Sequence, residues 1–177
     1  MERRYRSQTE YGEYGGLICT PVCCLVMTSF AQTSFGLPNW SDEVVHRAMV
    51  GGHALYQTRQ KGSKVPMMFQ ELLHVFEEDG VKFSEAAGLT HTGERELVDS
   101  LLICPLADLL EELILKGSGG VIVTCLGHTV CYLMTQGRGL FLFDPLPARL
   151  VDVTRSWRET LPTTDVEYSA LNIAWKP

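Results

Sequence analysis

Gly127-His128-Thr129-Val130-Cys131-Tyr132-Leu133-Met134 is followed, after Gln136-Gly137-Arg138-Gly139, by Leu140-Phe141-Leu142-Phe143-Asp144-Pro145. Thr129 to Met134 and Leu140 to Phe143 are short β-type runs, rich in β-branched and aromatic residues, and the glycine-bearing segment between them supplies a hairpin turn. A tight antiparallel hairpin sets its outer ends side by side. His128, opening one strand, and Asp144, closing the next, therefore come within hydrogen-bond reach of each other. An imidazole oriented by a carboxylate is the base-and-orienter pair of hydrolytic sites. The bland alternative is a surface histidine beside an ordinary Asp-Pro turn.

Further strand-like runs flank the hairpin: Val121-Ile122-Val123-Thr124-Cys125 before it, Val151-Asp152-Val153 and Ser169 to Ala174 after it. The N-terminal half reads differently. Cys19 to about Gln32 is apolar and suits a buried helix, with Pro21 tolerated in its first turn. Ser41-Asp42-Glu43 caps a second helix through Val44, Val45, Ala48 and Met49 to about Gly51 or beyond. Val65 to Glu78 has helical spacing, with Met68, Leu72, Leu73 and Phe76 on one face. Pro105 to Lys116 reads as a further helix closed by Gly117-Ser118-Gly119-Gly120. Residues 1–18 read as a polar arm, and residues 80–103 give a weaker pattern that suggests a short strand at Val81-Lys82-Phe83. Helices first and a meander afterwards give an α+β fold, with N-terminal helices packed on a C-terminal antiparallel sheet. The 177 residues fit one domain spanning 1–177.

Composition narrows the function classes. Hydrophobic residues at 45% and charged residues at 20% are ordinary for a globular chain. The net charge of −6 argues against non-specific nucleic-acid binding and weakly suits a partner with a basic tail. No apolar run is long enough for a membrane span. The basic start, Met1 to Arg6, has no apolar stretch right behind it, so no secretory signal is expected. The six cysteines (Cys19, Cys23, Cys24, Cys104, Cys125 and Cys131) sit in apolar surroundings. They are expected as free thiols of a cytoplasmic, reducing compartment.

A thiol hydrolase needs an exposed, acidified thiol, a histidine in reach, and a donor for the oxyanion. Cys19 stands where the first helix opens, preceded by glycines that allow close approach of a substrate backbone. Alone, this position suits a buried apolar thiol better; joined to His128 and Asp144, in the order Cys, His, Asp, it points to catalysis. Gln8, upstream, is a candidate oxyanion donor. Gly15, Gly16 and Gly127 are candidate substrate-lining positions. His46, His53, His74 and His91 read as surface or packing residues. Cys125, His128 and Cys131 invite a metal reading, but strand alternation sets the two thiols on one side and His128 on the other, with no fourth ligand. Neither a metal nor another cofactor is expected.

These residues resemble the deubiquitinating cysteine protease at the N-terminus of herpesvirus large tegument proteins. Gln8 followed by Tyr11-Gly12-Glu13-Tyr14-Gly15-Gly16-Leu17-Ile18-Cys19 resembles that family's glutamine, glycine-bearing arm and nucleophile. Cys23-Cys24-Leu25-Val26 resembles the helix behind it. Val44 through Gly51-Gly52-His53-Ala54-Leu55-Tyr56 is similar to a family helix ending in glycine and Leu-Tyr. The 127–145 segment resembles its closing hairpin. The resemblance implies a papain-like fold and cleavage after the ubiquitin C-terminal Gly-Gly. Cys19 would attack, Gln8 would support the oxyanion and Asp144 would orient the base. Family members carry a histidine two residues after that aspartate; here Leu146 stands there. Either His128 supplies the imidazole or the domain only binds ubiquitin or another protein. A non-ubiquitin thiol peptidase or effector is a third reading, since the His-then-Asp hairpin is also similar to bacteriocin-leader peptidases. The expected partner is ubiquitin or a ubiquitin-like protein, bound by a monomer in the cytosol, the host's if the chain is viral.

Overall fold

A computed structural model describes residues 2–13, 15–36, 41–60, 65, 67, 71–90, 96–98, 101–103, 106–125, 127–136, 139–162 and 168–175. In chain order the elements are β1 (Glu2–Arg4), α1 (Cys19–Gln32), α2 (Asp42–Gln60), β2 (Val81–Thr90), β3 (Glu96–Val98) and β4 (Leu101–Ile103). There follow α3 (Leu106–Lys116), β5 (Gly119–Cys125), β6 (His128–Thr135), β7 (Gly139–Asp144), β8 (Arg149–Asp152) and β9 (Tyr168–Trp175). Seven strands form one antiparallel sheet in the order β1-β8-β7-β6-β5-β9-β2, and β3 and β4 form a separate pair. This is the expected α+β arrangement of helices on an antiparallel sheet.

Alternation along the strands builds a core on each face of the sheet. Ile122, Cys131, Leu133 and Phe143 pack with Val22, Met27 and Phe30 of α1 and Met49 and Tyr56 of α2. Their neighbours Val121, Val123, Tyr132 and Leu142 pack on the other face, with Leu106, Leu109, Leu110 and Leu113 of α3 and Trp157. The sheet is thus covered on both sides, which the helix-first reading did not anticipate. Helix α1 is buried almost all round, from Cys19 to Ala31, because it lies between the sheet and α2. Each fully buried side chain such as Met27 or Phe30 contributes about 1.5–3 kcal/mol.

Helix α2 runs through Gly51-Gly52 to Gln60, within the open-ended expectation of Gly51 or beyond. Each glycine in a helix interior costs about 1 kcal/mol relative to alanine. Close packing requires them here. A Cβ on Gly52 would lie 2.6 Å from Val22 Cγ2, and one on Gly51 would lie 3.0 Å from Leu25 Cδ1. The glycine pair is where α1 crosses α2.

Three expectations change. Residues 71–80, the described end of the predicted Val65–Glu78 helix, are turns and a short 3-10 segment at Glu77–Asp79, closed by Gly80 at φ 80°. Leu72 and Phe76 are still buried, so successive turns satisfy the apolar spacing. A continued α-helix would set Glu77, Glu78 and Asp79 at its negative end, where carboxylates are unfavourable. Met68 lies outside the described residues. The strand at Val81 extends to Thr90, because β9 pairs with it from Val81↔Trp175 onward. The N-terminal arm contains an edge strand, with Glu2, Arg3 and Arg4 paired to Val151, Leu150 and Arg149. Its charged composition hid it from a propensity reading, and charge is what protects an edge. Among the described residues, no helix is long and apolar enough to cross a membrane.

Candidate active site

Cys19 is the first residue of α1. Ile18 precedes it and offers no side-chain cap, so the first-turn N–H groups and the positive end of the helix dipole favour a negative charge there. Cys19 retains 6% of its surface, whereas Cys23 and Cys24 retain 0%. Cys23 donates from Sγ to the Thr129 carbonyl at 3.6 Å, deep under the sheet. The five described cysteines, Cys19, Cys23, Cys24, Cys125 and Cys131, are free thiols. Cys104 lies outside the described residues.

His128 opens β6 one residue earlier than the β-type run begins, and Asp144 closes β7. His128 Nε2 lies 2.7 Å from Asp144 Oδ1. The β6–β7 ladder starts at Cys131↔Phe143, so Asp144 reaches back diagonally to a residue beyond the paired region. The same Asp144 oxygen accepts from the Leu146 N–H at 3.0 Å, which fixes the carboxylate. The His128 side chain is 35% exposed and that of Asp144 16%, so the ring is open on one side. With Nε2 taken, Nδ1 is the nitrogen left for the thiol, and the His128 ring and Cys19 sulfur are hydrogen-bonded.

The electrostatics follow from these contacts. Burial pushes the Cys19 thiol up, but hydrogen bonds from the His128 ring and from the Thr129 hydroxyl and backbone, with the imidazolium charge, outweigh it. The net shift is downward. The hydrogen bond to Asp144, followed by that to Cys19, raises the His128 pKa to about 9 against the opposing effect of burial. Cys23 goes the other way, because burial pushes its thiol well up. Burial also pushes Cys24 up, beyond the alkaline range. Of the three thiols in α1, one is therefore shifted toward the thiolate and the two behind it away from it.

Gln8 is fully buried; its Nε2 donates to the Gly15 carbonyl at 2.9 Å, and its Oε1 is buried without a hydrogen-bond partner. Its backbone N–H donates to the Pro145 carbonyl at 3.3 Å, tying the arm to the loop after Asp144. The three candidate glycines divide. A Cβ on Gly15 would lie 2.5 Å from the Gln8 carbonyl oxygen, so Gly15 lets the arm fold against itself. Gly16 and Gly127 are exposed, and a Cβ on either would meet nothing within 4 Å; Gly127 also has φ +76°. Leu146 is 40% exposed beside the pair.

The β5–β6 register pairs Cys125 with His128 directly, so these two share a face and Cys131 takes the other. That corrects the expectation that both thiols oppose His128; it counted the three as one strand, whereas Cys125 and His128 belong to two. Among the described residues, no group of three or more His, Cys, Asp and Glu could hold a metal ion. His46 accepts or donates at 2.9 Å with the Tyr11 hydroxyl, and His53 underlies Gly12. His74 pairs with Glu77 at 2.7 Å in the 71–80 turns rather than on a helix. His91 lies outside the described residues. A cleft of about 470 Å³ between the arm and the start of α2, lined by Arg4, Arg6, Tyr11 and His46 among others, contains none of Cys19, His128 and Asp144.

The sequence reading missed the threonines. Thr129 Oγ1 lies 2.8 Å from Thr20 Oγ1 and 2.7 Å from Thr124 Oγ1, joining α1 to β5 and β6 beside the thiol. The available signal was a hydroxyl residue next to His128 on the core-facing side of an apolar strand, where a buried polar group needs a partner.

No family model matches this sequence, and no curated protein is similar to it in sequence. Among solved structures, the chain is similar to the ubiquitin-specific protease encoded by a murine cytomegalovirus tegument protein, solved in complex with a ubiquitin-based suicide substrate. The two share 17% identity with a TM-score of 0.78, over 99% of this chain and 86% of the other.

Proposed function

We propose that this chain, which has the fold of a herpesvirus tegument ubiquitin-specific protease, is a thiol isopeptidase acting after the C-terminal Gly-Gly of ubiquitin or a ubiquitin-like protein. The observation that carries the reading is the contact chain Cys19–His128–Asp144, in which the single acidified thiol of α1 meets an imidazole held by a carboxylate.

Each group has a chemical task. The Cys19 thiolate attacks the carbonyl carbon of the terminal glycine, and the C=O electron pair moves onto oxygen. Gln8 is assigned to that oxyanion on the resemblance: its Nε2 gives one N–H to Gly15, and the second, buried in the free chain, has to be uncovered when substrate binds. As the intermediate collapses, the C–N bond breaks and the His128 imidazolium gives its Nδ1 proton to the departing lysine amine. The thioester left on Cys19 is then attacked by water, whose proton passes to the now neutral Nδ1. Collapse expels the thiolate and releases the glycine carboxylic acid, which loses its remaining proton to solvent. Asp144 holds Nε2 throughout and stabilises the imidazolium. Gly16 and Gly127 are exposed and carry no side chain, so each lets a substrate backbone approach closely.

Hydrolysis of a ubiquitin–fluorophore conjugate by the parent chain, and its loss in Cys19→Ala, is the expected result. A second reading rests on Leu146, which stands where the similar family has its histidine: a module that binds ubiquitin without turnover. Calorimetric binding by a chain inert in the conjugate assay would favour it.

A further inference from the structure

The thiol has neighbours that the Cys–His–Asp scheme does not use. Thr129 is 1% exposed and Thr20 4%, so water does not compete for their hydroxyls. Thr129 Oγ1 meets Thr20 Oγ1 at 2.8 Å, Thr124 Oγ1 at 2.7 Å, and the Cys19 sulfur. The Thr129 backbone also lowers the Cys19 pKa, and of its two polar groups the N–H is the one that can donate to a thiolate. It is available because the β6–β7 ladder starts only at Cys131↔Phe143, so β7 does not pair with the first residues of β6.

Proton counting gives this cluster a direction. A threonine hydroxyl has one proton to give and two lone pairs to accept with. If Thr20 and Thr124 both donate to Thr129, its acceptor capacity is filled and its proton is left for the sulfur. A thiolate accepts that proton strongly, and a neutral thiol only weakly. All three hydroxyls are therefore best satisfied when Cys19 is ionised.

We infer that Thr129 cradles the Cys19 thiolate with its backbone N–H and its hydroxyl, and that Thr20 and Thr124 are positioning residues that aim the hydroxyl at the sulfur. This rests on the reading of Cys19 as the nucleophile. The titratable groups facing the sulfur are His128 on β6, with Asp144 of β7 behind it, and Cys23 one turn along α1. The threonines supply donors that stay uncharged and fixed at every working pH.

The test is the rate of Cys19 alkylation by iodoacetamide, mapped by peptide mass, from about pH 5 to about pH 10. Thr129→Val keeps the shape and the backbone N–H and loses the hydroxyl. It should move the midpoint up by about one pH unit, a roughly tenfold loss of thiolate below it. Thr129→Ser should restore the parent midpoint, and Thr20→Val and Thr124→Val should each raise it by less. If Thr129→Val does not give a folded chain by circular dichroism, Thr129→Ala takes its place with the same expected rise. A folded hydroxyl-less variant with the parent midpoint, or equal shifts in the valine and serine variants, would overturn the assignment. No shift from either Thr20 or Thr124 would overturn the aiming. Alkylation needs no ubiquitin. A chain whose Cys19 alkylates at low pH but ignores a ubiquitin probe counts against the deubiquitinase reading and leaves the cradle standing.

Discussion

The His128 imidazole and the Asp144 carboxylate meet at 2.7 Å, although no ladder of the sheet pairs them. Continuing the β6–β7 register one step past Cys131↔Phe143 sets Asp144 opposite Val130, so the carboxylate reaches its partner along the diagonal. The ring is thereby held at the end of the sheet, next to the start of α1, rather than over the middle of a strand.

Asp144→Asn should separate geometry from charge. The amide oxygen still accepts from Nε2–H, but the contact that most raises the His128 pKa is weakened. The acid that protonates the leaving amine is the imidazolium, so kcat/KM should fall as pH rises through about 9 in the parent. In the variant that alkaline limb should move to lower pH. A pH–rate profile with an unmoved limb would contradict the role given to Asp144.

Two cysteines four residues apart should behave oppositely. Cys19→Ala should reduce conjugate hydrolysis to background with little change in stability. Cys23 is fully buried, so Cys23→Ala should keep the chemistry and lower unfolding free energy by about 1 kcal/mol. Urea titration beside the hydrolysis assay distinguishes the two.

The histidine should be movable. Leu146 lies in the turn after β7, its N–H donates to the Asp144 oxygen that holds His128, and its side chain is 40% exposed. His128→Ala should abolish hydrolysis. Adding Leu146→His to that variant should recover at least about tenfold of the loss, since general acid–base catalysis is commonly worth 100-fold or more. No recovery, with the fold intact, would mean that position 146 does not share the site.

Adjacent glycines should differ in kind. Gly15→Ala drives a methyl to 2.5 Å from the Gln8 carbonyl, a backbone atom that cannot easily yield. It should cost about 1–3 kcal/mol, read as a lowered melting temperature. Gly16→Ala meets nothing within 4 Å, so its stability should hold while hydrolysis weakens through a narrowed approach.

The β-meander was legible because its alternation serves two covered faces, and the turn residues between its strands are unambiguous. From it the neighbourhood of His128 and Asp144 followed, by the geometry of any tight hairpin. What escaped depended on partners distant in sequence. Glu2–Arg4 is a strand only because β8 offers an edge. The 71–80 turns imitate helical spacing without a helix. The threonine cluster joins residues 20, 124 and 129, and no local pattern announces a contact across more than a hundred positions.

A ubiquitin derivative with an electrophilic C-terminus, incubated with the full chain and followed by intact mass and peptide mapping, probes nucleophile, base and substrate together. A single adduct on Cys19, lost in Cys19→Ala and strongly slowed in His128→Ala, is the predicted result. An unlabelled chain, an adduct on Cys125 or another thiol, or undiminished labelling without His128 would contradict the account.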